Sequence, residues 1–230
     1  MDKINDHTGQ PGKVISKSFT ELLDTFKNDG CPICNLNFLN IDSYFSSILY
    51  ECVNDPTVRK KLRNSFGYCR DHSAQFIQFV EKSYNRFGAS IIIADVTAEI
   101  IKELDRLSKL SFKELKKITS VKHMCPACIY QEIHEHIYYF EILNNLENED
   151  FFNKFLKSDG LCQAHLLSLI KIIKDSDIRN KIIENQKLKL SKLIKDMDAF
   201  VKKHSGQNNQ KITSDEACAF KKAIRHMMGD

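Results

Sequence analysis

Apolar residues recur at three- and four-residue intervals along nearly the whole chain, a period that predicts helices and no strand. Ser18-Phe19-Thr20-Glu21 reads as a capping box opening a first helix with Leu22, Leu23 and Phe26 on one face, ended by Asp29-Gly30. A long helix begins at Pro32, since proline suits the first helical position, and runs to about Val53. Asp55-Pro56 caps a short helix that ends near Arg63, and another opens beside Cys69 and stops before Gly88. The stretch Ala89 to Leu110 carries a stripe of Ile92, Val96, Ile100, Leu104 and Leu107, and a capping box follows at Ser111-Phe112-Lys113-Glu114. A long helix from about Asp177 to Lys203 has its stripe at Ile178, Ile182, Leu190, Leu193, Met197 and Phe200. After a polar break at 205–210, Thr213-Ser214-Asp215-Glu216 caps a last helix stopped by Gly229. Val14-Ile15 is too short for a strand, and Ile91 to Ile93 sits inside a helical period.

The pattern repeats. Cys31-Pro32-Ile33-Cys34 recurs 94 residues on as Cys125-Pro126-Ala127-Cys128, and Cys69-Arg70-Asp71-His72 recurs 93 residues on as Cys162-Gln163-Ala164-His165. Tyr44 aligns with Tyr138, Asn54 with Asn148, Leu62 with Leu156 and, after a one-residue gap, Gly67 with Gly160. These coincidences read as a duplication. The expected fold class is therefore all-α, a duplicated helical repeat whose two pseudo-symmetric helical halves each carry a Cys3His knuckle site. The expected divisions are a flexible N-terminal segment at 1–17, a first repeat at 18–118, a second at 119–204, and a polar linker with a C-terminal helix packing on the body at 205–230.

Ligands two residues apart on thiolate and imidazole are what a tetrahedral zinc site needs, commonly as Cys3His. Glycine stands just before the first ligand of three knuckles, at Gly30 and, one residue further off, at Gly67 and Gly160, where a tight turn is required; His123-Met124 takes that place before Cys125. The candidate metal ligands are Cys31, Cys34, Cys69, His72, Cys125, Cys128, Cys162 and His165. A helix from Pro32 to Val53 carries the chain about 30 Å from the first knuckle, and a short helix plus extended residues spans about 33 Å on the way back. Local closure within each repeat is expected, because short closures cost less entropy. A swapped arrangement, with Cys31 and Cys34 joined to Cys162 and His165, satisfies the spacing as well.

Unliganded buried cysteine and histidine would not explain why all four ligand types repeat. A thioredoxin-like pair needs a βαβ setting that a helical chain lacks. Two structural Zn2+ ions are the expected cofactors, with iron–sulfur clusters on the same ligands the alternative. The Ile-, Lys- and Asn-heavy composition, common in AT-rich anaerobes, is compatible with that alternative. Four protein ligands leave no open position, so catalytic zinc is not expected and no residue is assigned a catalytic role. Weaker features carry ordinary readings. Glu132, His134, Glu135 and His136 form a solvated helix face, His123 is a surface histidine beside a knuckle, and Cys52 and Cys218 are core residues, the latter with Phe220 and Ile224. Tyr44 and Tyr138 pack between helices.

These motifs resemble an uncharacterised family of bacterial and archaeal helical proteins that carries CPxC followed by GxCxxH, then CPxC followed by LCxxH. The match is Cys31 to Cys34, Gly67 to His72, Cys125 to Cys128 and Leu161 to His165, within residues 18–229. That family is a domain of unknown function, so the resemblance implies no activity.

Composition narrows the role. Eight cysteines in 230 residues are many for a reducing compartment, and six of them are now placed as ligands, which removes any need for disulfides. The longest apolar run, Ala89 to Val96, is broken by Ser90 and Asp95 and is far short of the roughly 18 residues a membrane span needs. The start, MDKINDHTGQPGK, has no apolar leader, so a cytoplasmic protein is expected. The formal charge of +4 falls to +2 if each site adds one Zn2+ and three thiolates. Residues 171–204 hold ten Lys/Arg against five Asp/Glu, but no aromatic residues for stacking bases stand on that face. Nucleic-acid binding is therefore a lesser alternative. The expected role is a non-enzymatic scaffold or interaction module whose partner is another protein.

Overall fold

The computed structural model describes residues 16–117, 124–206 and 210–229. Among these residues it has eleven helices and no strand. They are α1 (Lys17–Thr25), α2 (Pro32–Tyr50), α3 (Pro56–Asn64), α4 (Arg70–Ser83), α5 (Arg86–Leu107), α6 (Phe112–Leu115), α7 (Pro126–Asn145), α8 (Glu149–Lys157), α9 (Gln163–Ile172), α10 (Ser176–His204) and α11 (Ser214–Met228). No helix among the described residues is long and apolar enough to cross a membrane.

Most boundaries follow from caps that the sequence announces. Asp55 accepts from the Thr57 and Val58 amides ahead of Pro56 in α3, and reciprocal capping boxes open α6 at Ser111 and α11 at Thr213. Two starts differ from expectation. Ser16, not Ser18, caps α1 by accepting from the Phe19 amide, and the hydroxyls of both serines donate to Glu141. Gly88 does not stop a helix; it lies in the first turn of α5, where its amide donates to the capping Asn85 side chain at 3.1 Å.

The chain forms two compact units. The first comprises residues up to Leu36 together with His136 onward, and the second comprises Asn37–Glu135. Both unit boundaries fall inside helices, one in α2 and one in α7. In the first unit Leu22, Phe26, Ile33, Tyr138, Ile142, Phe151, Phe155 and Leu169 form the core. The Phe26 ring stands edge-on to those of Phe151 and Phe155. In the second unit Phe45 is fully buried and packs edge-on against Tyr68 and Phe76, each with ring centroids 5.1 Å away. There Arg59 and Arg63 on α3 both pair with Asp95 on α5, at 2.9 and 2.6 Å.

Tyr44 and Tyr138 pack between helices as expected. Two stripes do not bury as their period suggests. The α5 stripe buries Ile92 and Val96, while Ile100 and Leu104 stay exposed. On α11 the buried positions are Ala219 and Ala223; Cys218 is half-buried and Phe220 and Ile224 face solvent. Small side chains let α11 lie close on α10, so the larger residues are turned outward. Cys52 is also half-buried rather than core.

Candidate metal centres

Four helices begin at a cysteine. The carbonyls of Cys31, Cys69, Cys125 and Cys162 accept the first helical hydrogen bonds, from Asn35, Ser73, Ile129 and Leu166. Each cysteine is thus the capping residue of α2, α4, α7 or α9, and the second residue of each motif stands three positions on, in the first turn. Cap and third position lie on the same face of a helix end, so both donors of a pair point the same way. The partial positive charge of each helix start favours thiolate there. Proline at the first helical position in α2 and α7 costs nothing, because that amide has no helical partner.

The turns leading in need left-handed backbone, and Gly30, Gly67 and Gly160 supply it at φ +89°, +95° and +96°. At Gly160 a Cβ would lie 2.5 Å from Gln186 Oε1. Gln186 occupies that space because it holds the knuckle from α10: Oε1 accepts from the Leu161 amide and Nε2 donates to the Leu161 carbonyl.

All eight expected ligands come together, in two groups. In the first unit Cys31, Cys34, Cys162 and His165 converge, and in the second Cys69, His72, Cys125 and Cys128; the donor atoms within each group lie within 4.8 Å of one another. His165 Nδ1 is 3.3 Å from Cys31 Sγ, 3.3 Å from Cys34 Sγ and 3.2 Å from Cys162 Sγ, and the Cys34 and Cys162 sulfurs are 3.8 Å apart. His72 Nδ1 is 3.2, 3.7 and 3.3 Å from the sulfurs of Cys69, Cys125 and Cys128, with Cys69 and Cys128 3.7 Å apart.

The local pairing expected from loop closure is therefore incorrect, and the crossed arrangement is the one formed. The reason lies in α2. The Tyr68 ring, next to Cys69, meets Tyr44 with centroids 6.5 Å apart. Tyr44 is thirteen residues beyond Cys31, about 20 Å along a helix, so the returning arm stops far short of the first knuckle. The start of α7 lies at that level instead, with Tyr130 4.8 Å from Tyr44.

The thiols respond to this crowding in opposite ways. Hydrogen bonds from Cys31 and Cys34, then His165, hold the Cys162 thiol far below its ordinary range. Burial, then the neighbouring Cys125 charge, pushes the Cys128 thiol up to about 12. A divalent cation among these atoms would reinforce the first effect and override the second, favouring thiolate throughout.

Residues around the second group also matter. His72 Nε2 meets Gln131 Oε1 at 3.0 Å, Gln131 Nε2 donates to Glu135 Oε1 at 2.8 Å, and Asn37 Nδ2 donates to the same oxygen. Sequence reasoning placed Glu135 on a solvated face and overlooked the two amides. A signal was present, because Asn37 and Gln131 each stand six residues after the first cysteine of a CPxC knuckle. Glu132 and His136 are exposed, as expected, and His134 Nδ1 faces the Tyr130 carbonyl. His123 lies outside the described residues.

An "Uncharacterized 23.9 kDa protein in xynA 3'region" from Caldicellulosiruptor sp. (strain Rt8B.4) is 22% identical over 214 residues, covering 90% of this chain and 99% of that one. No solved structure matches. The sequence model described as "Family of unknown function (DUF6062)" matches residues 19–230, and the chain belongs to that family.

Proposed function

We propose that this is a zinc protein in which two structural Cys3His ions clamp helix starts together, and that it serves the cytoplasm as a non-enzymatic scaffold or interaction module for another protein. The spacing of the donors carries the reading. A tetrahedron with Zn–S near 2.3 Å and Zn–N near 2.05 Å has edges of about 3.8 Å between sulfurs and about 3.5 Å between sulfur and nitrogen. The 3.7–3.8 Å and 3.2–3.7 Å separations match one ion per group. A polynuclear iron–sulfur cluster would put several iron and sulfide ions between its ligands and spread them wider. Four protein donors with no open position are the pattern of a structural ion. Thiolate ligands fit a reducing compartment. The matching order of α2–α5 and α7–α10, and the shared conformation of Gly67 and Gly160, support reading the chain as a duplication.

The test is metal analysis with an absorption spectrum on protein purified without oxygen. Colourless protein with two zinc per chain is the expected result. Brown protein with iron and sulfide, or a chain that folds without metal, would overturn the reading.

A further inference from the structure

Accepting the metal-site reading, we infer that Gln131 and Glu135 form a relay that fixes the tautomer and aim of His72, making Gln131 a positioning residue for the ion of the second unit. Proton bookkeeping forces the chain of assignments. Ionised Glu135 has no proton to give, so its Oε1 only accepts. It receives the side-chain amides of Gln131 and of Asn37. Gln131, with its NH2 committed to that carboxylate, turns Oε1 toward His72. An amide oxygen also only accepts, so His72 Nε2 carries the proton. The lone pair is then left on Nδ1, the atom 3.2–3.7 Å from the three sulfurs.

Burial sharpens the argument. His72 and Asn37 are 7% and 6% exposed. Asn37 Oδ1 has no partner among the described residues, and an orphaned buried oxygen is costly. Turning the Asn37 amide over would set its oxygen against the Glu135 carboxylate, so the carboxylate fixes this amide as well. A carboxylate behind a ligating imidazole raises its basicity and holds its plane; here the carboxylate acts through an interposed glutamine.

The test compares the wild type with Gln131→Leu, which keeps the side-chain volume, and Gln131→Glu, which keeps an acceptor toward His72. Zinc affinity is read by chelator competition on the full chain, and the His72 tautomer by 15N–1H NMR with and without zinc. The wild type should show two tight equivalents and a solvent-protected His72 Nε2–H. Gln131→Leu should weaken one equivalent about 10–100-fold, leave the other unchanged and lose the protected proton. Gln131→Glu keeps an acceptor for His72 but sets its other oxygen against the Glu135 carboxylate, so it should recover the protected proton and only part of the affinity. Glu135→Gln, which keeps an acceptor for Gln131, should weaken the same equivalent less and speaks to the relay if Gln131→Leu does not fold. Unchanged affinities in Gln131→Leu, or His72 bound through Nε2, would overturn the relay. A wild type that binds no zinc overturns the metal-site reading instead, and the protected Nε2–H in metal-free protein then decides the relay by itself.

Discussion

Gly160 shows how closely the chemistry depends on single backbone positions. Its φ of +96° is one that side-chain-bearing residues rarely adopt, and Gln186 occupies the space a Cβ would take. Gly206 has a similar φ of +76°, and a Cβ there would meet nothing within 4 Å among the described residues. Gly160→Ala should therefore cost roughly 2–3 kcal/mol, from backbone strain and displacement of Gln186, against roughly 1 kcal/mol for Gly206→Ala. Denaturant titration of the two variants checks this; equal costs would mean that Gln186 does not hold the knuckle. The need for glycine before a knuckle was legible in the sequence, because a turn must precede each helix cap. Gln186 was not legible, since it reaches Leu161 from 25 residues away and nothing in its own helical pattern marks it.

Helices were legible where a polar side chain announces a cap and a stripe continues behind it, as in α3 and α11. Burial was less so, because a periodic stripe says which face is apolar and not how far a neighbour extends along it; Ile100 and Leu104 continue the period and stay exposed. Helix α11 lies on α10 through Lys203 and Glu216, 2.7 Å apart with side chains 8% and 11% exposed. Glu216 Oε2 also accepts from the Thr213 amide. The hydrogen bond from Lys203 holds the Glu216 carboxyl below its ordinary 4.5. A carboxyl depressed in the folded state stabilises fully above its unfolded value, and that stabilisation is lost as pH falls through the lower native value. Protection of α11 from hydrogen exchange should accordingly decline as pH falls below the ordinary 4.5 in the wild type. Glu216→Gln should show a weaker decline over that window from a lower starting protection. An identical pH dependence in the two proteins would remove Glu216 from the account.

At the scale of the whole molecule, the eight clustered Cys and His donors were legible and their partnership was not. Cys-x-x-Cys and Cys-x-x-His spacing is a local property, set by the cap and third position of one helix. Which two helix starts meet is decided by the length of α2 and by where Tyr68 packs on it, and loop-closure entropy pointed to the other answer. The crossed pairing gives a prediction that local pairing reverses. Zinc content of two double variants tests it: Cys31→Ser with Cys162→Ser removes donors from one group, whereas Cys31→Ser with Cys69→Ser removes one donor from each. The account predicts one zinc per chain for the first and none for the second; no zinc in the first and one in the second would contradict it.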